Sequence, residues 1–168
     1  LPGAGLALVR ADGVEWAGGV GVADRAARRP VVADTLFRVG SISKTFVAMA
    51  LVQLYEEGRL DLDATVASLL PEIRIDNPWE VTEPVRVRHL LEHTAGFDDM
   101  HFNEIYVLDD TADKPLAEVL LGAPASRRVR WRPGTRMAYS NPGYAVAGRI
   151  IEVASGKPFD QFILERIF

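Results

Sequence analysis

The chain has 168 residues, 48% apolar and 25% charged, a balance that supplies one good core or two unequal lobes and excludes intrinsic disorder. Its net charge of −4 leaves no overall basic field, so no nucleic-acid partner is expected, and Arg127, Arg128, Arg130 and Arg132 read as a solvated face. The absence of cysteine excludes disulfides, thiol catalysis and cysteine-ligated zinc.

No apolar run approaches the roughly 18 residues needed to cross a bilayer, so no transmembrane segment is expected. The chain opens on Leu1 rather than Met and shows no basic-then-apolar leader. Secreted, periplasmic and cytoplasmic placement all stay open.

In chain order, Gly5 to Arg10 predicts a strand, Ala11-Asp12-Gly13 a turn, and Val14 to Val22 a returning strand, because Asp-Gly between apolar runs is a strong hairpin signal. Ala23 to Asp34 is charged and reads as an exposed connection. Ser41 to Glu57 contains neither Pro nor Gly and is followed by Gly58, which predicts a helix with its stop signal. Within it Phe46, Val47, Ala48, Met49, Ala50, Leu51 and Val52 are consecutive apolar residues, so the helix is expected to be central, with no face left for water.

Short helices are predicted near Thr65 to Leu70, before Pro71, at Val87 to His93 and at Pro115 to Leu121. Two longer ones close the chain, Pro142 to Ser155, capped by Asn141 and stopped by Gly156, and Pro158 onward. A hairpin without flanking strands leaves a pairing edge unprotected.

The first turn of the Ser41 helix carries the best candidate nucleophile. Ser41 and Lys44 are three positions apart, which puts both side chains on one helical face. A serine hydroxyl needs a neighbouring base, and a lysine serves as one where burial lowers its pKa. Of the 19 basic residues only Lys44, Lys114 and Lys157 are lysines, and arginine, which stays protonated, could not substitute. The backbone N–H groups of this turn favour developing negative charge, so that of Ser41 is a candidate for half an oxyanion hole.

Tyr139 and Asn141 are two residues apart after the turn-rich Arg132-Pro133-Gly134-Thr135, so in an extended segment both face one side. Tyr139 can then relay the Ser41 proton, and Asn141 can bond Lys44 or a substrate amide. Asn141 before Pro142 is equally a good N-cap. A competing pattern is His89-Leu90-Leu91-Glu92-His93, the His-x-x-Glu-His spacing of inverted zinc peptidases. Thr94-Ala95-Gly96 should end that helix at His93, and only Glu104 and Glu118 offer themselves as third ligands, so a structural role for both histidines is favoured and no metal is expected. Asp98, Asp99, His101 and Glu104 read as a polar loop that can border a site.

Taken together, these stretches resemble the serine β-lactamase and penicillin-binding-protein superfamily, in its branch of class C β-lactamases, DD-peptidases and related esterases. The likeness is carried in order by Pro2-Gly3-Ala4-Gly5, by Asp34 through Lys44 with its Ser-x-x-Lys, by Leu54 to Leu62, by Leu90-Leu91-Glu92-His93-Thr94-Ala95-Gly96, by Pro133-Gly134-Thr135, and by the Tyr-x-Asn of Tyr139-Ser140-Asn141.

The resemblance implies an α+β fold in which residues 1–40 form an N-terminal hairpin of an antiparallel sheet and residues 41–168 a mostly helical lobe holding both motifs. It implies Ser41 as the acylated nucleophile, Lys44 and Tyr139 as the proton-transfer pair, and Asn141 as a substrate-orienting side chain. The expected reaction is acyl transfer from a β-lactam, D-amino-acid peptide or ester, with no cofactor. The expected partner is a small-molecule or peptide acyl substrate. The family's third motif, Lys-Thr-Gly or a His-x-Gly variant on a later strand, has no counterpart here, since Gly156-Lys157-Pro158 lies between two predicted helices. The later sheet strands and terminal helix of the family are therefore expected to be missing. An incomplete or noncatalytic binding module, with a further C-terminal segment completing the sheet, is the alternative.

Overall fold

A computed structural model describes residues 1–99 and 114–168 of the chain, which divide into two compact units, Leu1–Gly40 and Ser41–Phe168. His101 and Glu104 lie outside the described residues.

The first unit is a three-stranded antiparallel sheet in the order β1 (Gly3–Arg10), β2 (Gly13–Asp24), β3 (Arg29–Pro30). The turn consists of Ala11 and Asp12, and Gly13 already pairs with Arg10. The charged stretch expected to be a plain connection contains β3. Asp24 turns the chain by accepting the Ala27 N–H at 2.9 Å, and Val22 then pairs with Pro30. Proline suits β3 because an edge strand can leave one donor position empty.

The two faces of β1 and β2 differ. Gly3, Gly5, Gly19 and Gly21 line one face in register, and the buried Val31 lies against it. A Cβ on Gly19 would stand 2.2 Å from Val31 Cγ1, so only glycine admits this approach. Leu6, Leu8, Trp16 and Val20 line the opposite face and are all exposed.

The second unit is helical. A 3-10 turn at Gly40–Ile42 runs into α1 (Ser43–Glu56), followed by α2 (Val66–Leu69), α3 (Val87–Leu91), α4 (Leu116–Gly122), a 3-10 turn at Pro124–Arg127, α5 (Asn141–Ser155) and α6 (Phe159–Arg166). Thr65 caps α2 by accepting the Ser68 N–H at 3.2 Å. Gly156, at φ 70°, ends α5 as its sequence signal predicts. Among the described residues no helix is long and apolar enough to cross a membrane.

The core gathers on α5, which buries Val146, Ala147, Ile150 and Ile151 against α1, α3, α4 and α6. The central position expected for α1 is therefore held by α5. Helix α1 buries Val47, Ala50, Leu51 and Leu54, whereas Met49, Val52 and Tyr55 remain exposed. An unbroken apolar run makes every face of a helix able to pack, and here the neighbouring helices cover one of them.

The arginine cluster also divides. Arg128, Arg130 and Arg132 are exposed and face Asp76, Asp98 and Glu83. Arg127, expected on the same solvated face, is 1% exposed instead. Its guanidinium donates to the main-chain carbonyls of Arg74, Leu120 and Ala123, which lets a charged group be buried.

Candidate active site

The starts of α1 and α5 meet at one place. In 3-10 geometry residues i and i+3 nearly eclipse, and the 3-10 turn leading into α1 brings Lys44 Nζ to 3.1 Å from Ser41 Oγ. Ser41 is exposed and Lys44 half-buried.

The approach to α5 is set by its cap. Ser140, not Asn141, is the N-cap, and its buried hydroxyl accepts the Gly143 N–H at 3.2 Å. Asn141 is thus the first helical residue, and the N-cap role expected for it is corrected. Its side chain is available for other contacts. Ser140 is extended and turned inward, and its neighbours on either side engage the Ser41 turn. The Tyr139 hydroxyl lies 2.5 Å from Ser41 Oγ, and Asn141 Oδ1 accepts from Lys44 Nζ at 2.7 Å.

Gly96 and His93 hold this approach in place. Gly96, at φ 81°, accepts the Arg130 N–H at 2.8 Å, and a Cβ there would stand 2.4 Å from the Trp131 carbonyl oxygen. The His93 carbonyl accepts the Ala138 N–H at 2.8 Å, and His93 Nδ1 accepts the Ser140 N–H at 3.2 Å. The imidazole rests on the Tyr139 ring at 4.4 Å and on the Tyr144 ring at 5.1 Å. Lys44 Nζ lies over the same two phenol rings, at 4.8 and 5.6 Å.

The charges follow from this packing. Hydrogen bonding to Lys44, and then to Ser41, holds the Tyr139 phenol below its ordinary value, which makes a phenolate more accessible there. Burial, followed by the nearby Lys44 charge, pushes the His93 imidazole down, consistent with a neutral ring accepting at Nδ1. Burial pushes the Tyr144 phenol up, and its hydroxyl donates to the Leu91 carbonyl at 3.1 Å.

The His-x-x-Glu-His pattern does not assemble as a helical metal face. Helix α3 ends at Leu91, and His93 has a left-handed φ of 57°. His89 Nδ1 accepts the Arg86 N–H at 3.2 Å, so each imidazole serves a backbone donor of its own. Among the described residues no group of three metal-ligating side chains forms.

The sequence places Asp99 in a polar loop that can border a site but assigns it no partner. Its carboxylate accepts the Asn141 N–H at 3.1 Å and the Asn141 Nδ2 at 3.0 and 3.3 Å. No periodic or spacing signal links residues 42 positions apart, and the left-handed turn residues His93 and Gly96 are a local hint that the chain changes direction before Asp99.

The chain is 33% identical over 169 residues to penicillin-binding protein 4 of Amycolatopsis lactamdurans, covering 100% of the chain and 42% of that protein. It is 35% identical over 168 residues to esterase EstB of Burkholderia gladioli, covering 94% of the chain and 42% of that protein. The chain therefore spans less than half the length of these relatives. Among solved structures, the octameric penicillin-binding protein homologue from Pyrococcus abyssi superposes with a TM-score of 0.81 at 30% identity, covering 99% of this chain and 38% of that one. Residues 1–168 match the Beta-lactamase family model throughout, and the chain belongs to the β-lactamase family.

Proposed function

We propose that Ser41 is the nucleophile of a serine hydrolase that works through an acyl-enzyme. The observation that carries this reading is that Ser41 Oγ lies within hydrogen-bonding distance of both Lys44 Nζ, at 3.1 Å, and the Tyr139 hydroxyl, at 2.5 Å.

Ser41 Oγ attacks the carbonyl carbon of a β-lactam, a D-amino-acid peptide or an ester. Its proton passes to the Lys44–Tyr139 pair, for which the depressed phenol pKa suits Tyr139 as acceptor. The negative charge forming on the carbonyl oxygen is received by the Ser41 N–H at the helix start. The bond to the leaving group breaks, the stored proton goes to that leaving nitrogen or oxygen, and an ester to Ser41 remains. Water then attacks the ester, and Ser41 recovers its proton as the acid departs. Asn141 orients the substrate and holds Lys44. The reaction as written needs no cofactor.

The test is intact mass after exposure to a fluorophosphonate and, separately, to a penicillin, for the wild-type chain and for Ser41→Ala. One adduct that disappears with Ser41→Ala is expected; equal labelling of both forms would sink the reading.

A second reading is favoured by the exposed apolar face of β1 and β2 and by the outer position of β1 in the sheet. In it the chain is an incomplete or noncatalytic acyl-binding module, and a further polypeptide segment pairs along β1 and covers Leu6, Leu8, Trp16 and Val20. Labelling that requires a longer form of the protein would favour this reading over the first.

A further inference from the structure

Asn141 makes its side-chain contacts in two directions. Its amide oxygen accepts from the Lys44 ammonium at 2.7 Å, and its amide nitrogen donates to the Asp99 carboxylate at 3.0 and 3.3 Å. A primary amide has a donor end and an acceptor end, and rotating it by half a turn exchanges them. In the rotated form the amide NH₂ would face an ammonium and the amide oxygen a carboxylate. Both contacts would be repulsive, so the two charged neighbours together select one orientation.

We propose that Asp99 is a positioning residue for the Ser41 centre, clamping the Asn141 amide so that its oxygen faces Lys44 and keeps the ammonium aimed at Ser41. Asn141 is oriented by its second partner together with its first. Lys44 has three donors on a flexible stem, and the fixed acceptor at 2.7 Å directs one of them while another meets Ser41 Oγ at 3.1 Å. Holding the amide nitrogen on the Asp99 side adds the aim of Lys44 to the substrate-orienting role of Asn141.

Asp99 also accepts the main-chain N–H of Asn141 at 3.1 Å, which supports the first turn of α5. The two duties separate in a double-mutant cycle, because Asn141→Ala removes the amide and leaves the main-chain donor. The rate consequence rests on the acyl-transfer reading; the clamp itself does not.

The test compares wild type, Asp99→Asn, Asn141→Ala and the double variant, each treated with a fluorophosphonate over a range of concentrations and read by intact mass. Asp99→Asn keeps the size of the side chain but permits either amide orientation. It is expected to slow the limiting labelling rate about tenfold, as for loss of one charge-assisted hydrogen bond, with little change in half-saturating concentration. In the Asn141→Ala background the same change is expected to cost less than about twofold. An equal loss in both backgrounds would mean that Asp99 only supports α5, and no loss in either would overturn the proposal.

A second measurement does not depend on activity. In a Ser41→Ala chain labelled with ¹⁵N, Asp99→Asn is expected to shift the Asn141 side-chain amide signal and speed its proton exchange. An unmoved signal would overturn the clamp. A moved signal in a protein whose wild type takes no label would leave the clamp standing and the acyl-transfer reading refuted.

Discussion

Helices α1 and α5 both begin at the Ser41 site, yet they are built in opposite ways. Helix α5 is enclosed, burying Val146, Ala147, Ile150 and Ile151 among four other helices. Helix α1 is apolar along almost its whole length but covered on one side, leaving Met49, Val52 and Tyr55 exposed. The site draws on both. The 3-10 turn entering α1 presents Ser41, the first turn of α1 presents Lys44, and the capped start of α5 fixes where Tyr139 and Asn141 meet them. Apolar content thus does not measure centrality. The better guide is the placement of polar residues, which in α5 leaves one polar stripe with Arg149 paired to Glu152 and Glu72, and in α1 leaves none.

The sharpest way to break this contrast is to truncate the enclosed helix. Ile150→Ala removes a fully buried side chain and is expected to cost about 2–5 kcal/mol of unfolding free energy, read from the midpoint shift in urea with unchanged slope. A loss below about 1 kcal/mol would mean that α5 is not the structural centre. Next in size is the cap. Ser140→Ala removes the hydroxyl that accepts the Gly143 N–H, with an expected cost of about 1 kcal/mol. The same change should slow Ser41 labelling, because Ser140 sets the chain path on which both Tyr139 and Asn141 depend. Labelling that kept its wild-type rate despite the stability loss would separate the cap from the site.

Much of this was legible in the residues. The hairpin, the helix starts and stops at Gly58 and Gly156, and the pairing of Ser41 with Lys44 follow from turn residues and helical spacing, which are local signals. What escaped leaves no pattern that turn residues or helical spacing would show. Ser140 and Asn141 are both good caps, and only the buried hydroxyl bond to Gly143 shows which one is used. Strand β3 has two residues, too short for any alternation to register. Arg127 looks like its exposed neighbours, and it is the carbonyls of Arg74, Leu120 and Ala123 that allow its burial. Asp99 carries no pattern linking it to Asn141, so its contact is visible only in three dimensions.

Protonation tests the α3–α5 side of the comparison. Burial lowers the pKa of both His89 and His93, and each ring accepts a backbone N–H at Nδ1. Between the depressed native value and the ordinary histidine value near 6.5, the unfolded chain binds more protons than the native one. Stability therefore rises with pH across that window, is fully present above the unfolded value, and is lost as pH falls toward the native one. Urea midpoints measured from pH 7 down to pH 5 should decline, and His93→Gln, which can still accept the Ser140 N–H, should flatten part of that decline. A profile unchanged by His93→Gln would remove His93 from the account.

The smallest expected effect lies on the open face of α1. Met49 is 47% exposed and Val52 41%, so replacing both with glutamine removes little buried area. Glutamine also has good helix propensity, so α1 itself is not weakened. The double change should therefore move unfolding free energy by no more than about 0.5 kcal/mol per site, whereas Leu51→Ala and Leu54→Ala, on the covered face of the same helix, should each cost about 2–5 kcal/mol. Binding of an apolar-surface dye should fall with the glutamine pair and not with the core changes, unless the latter unfold the protein. If the pair cost as much as a core truncation, the face called open would be covered in solution, and the contrast with α5 would lie in what covers each helix instead of in whether it is covered.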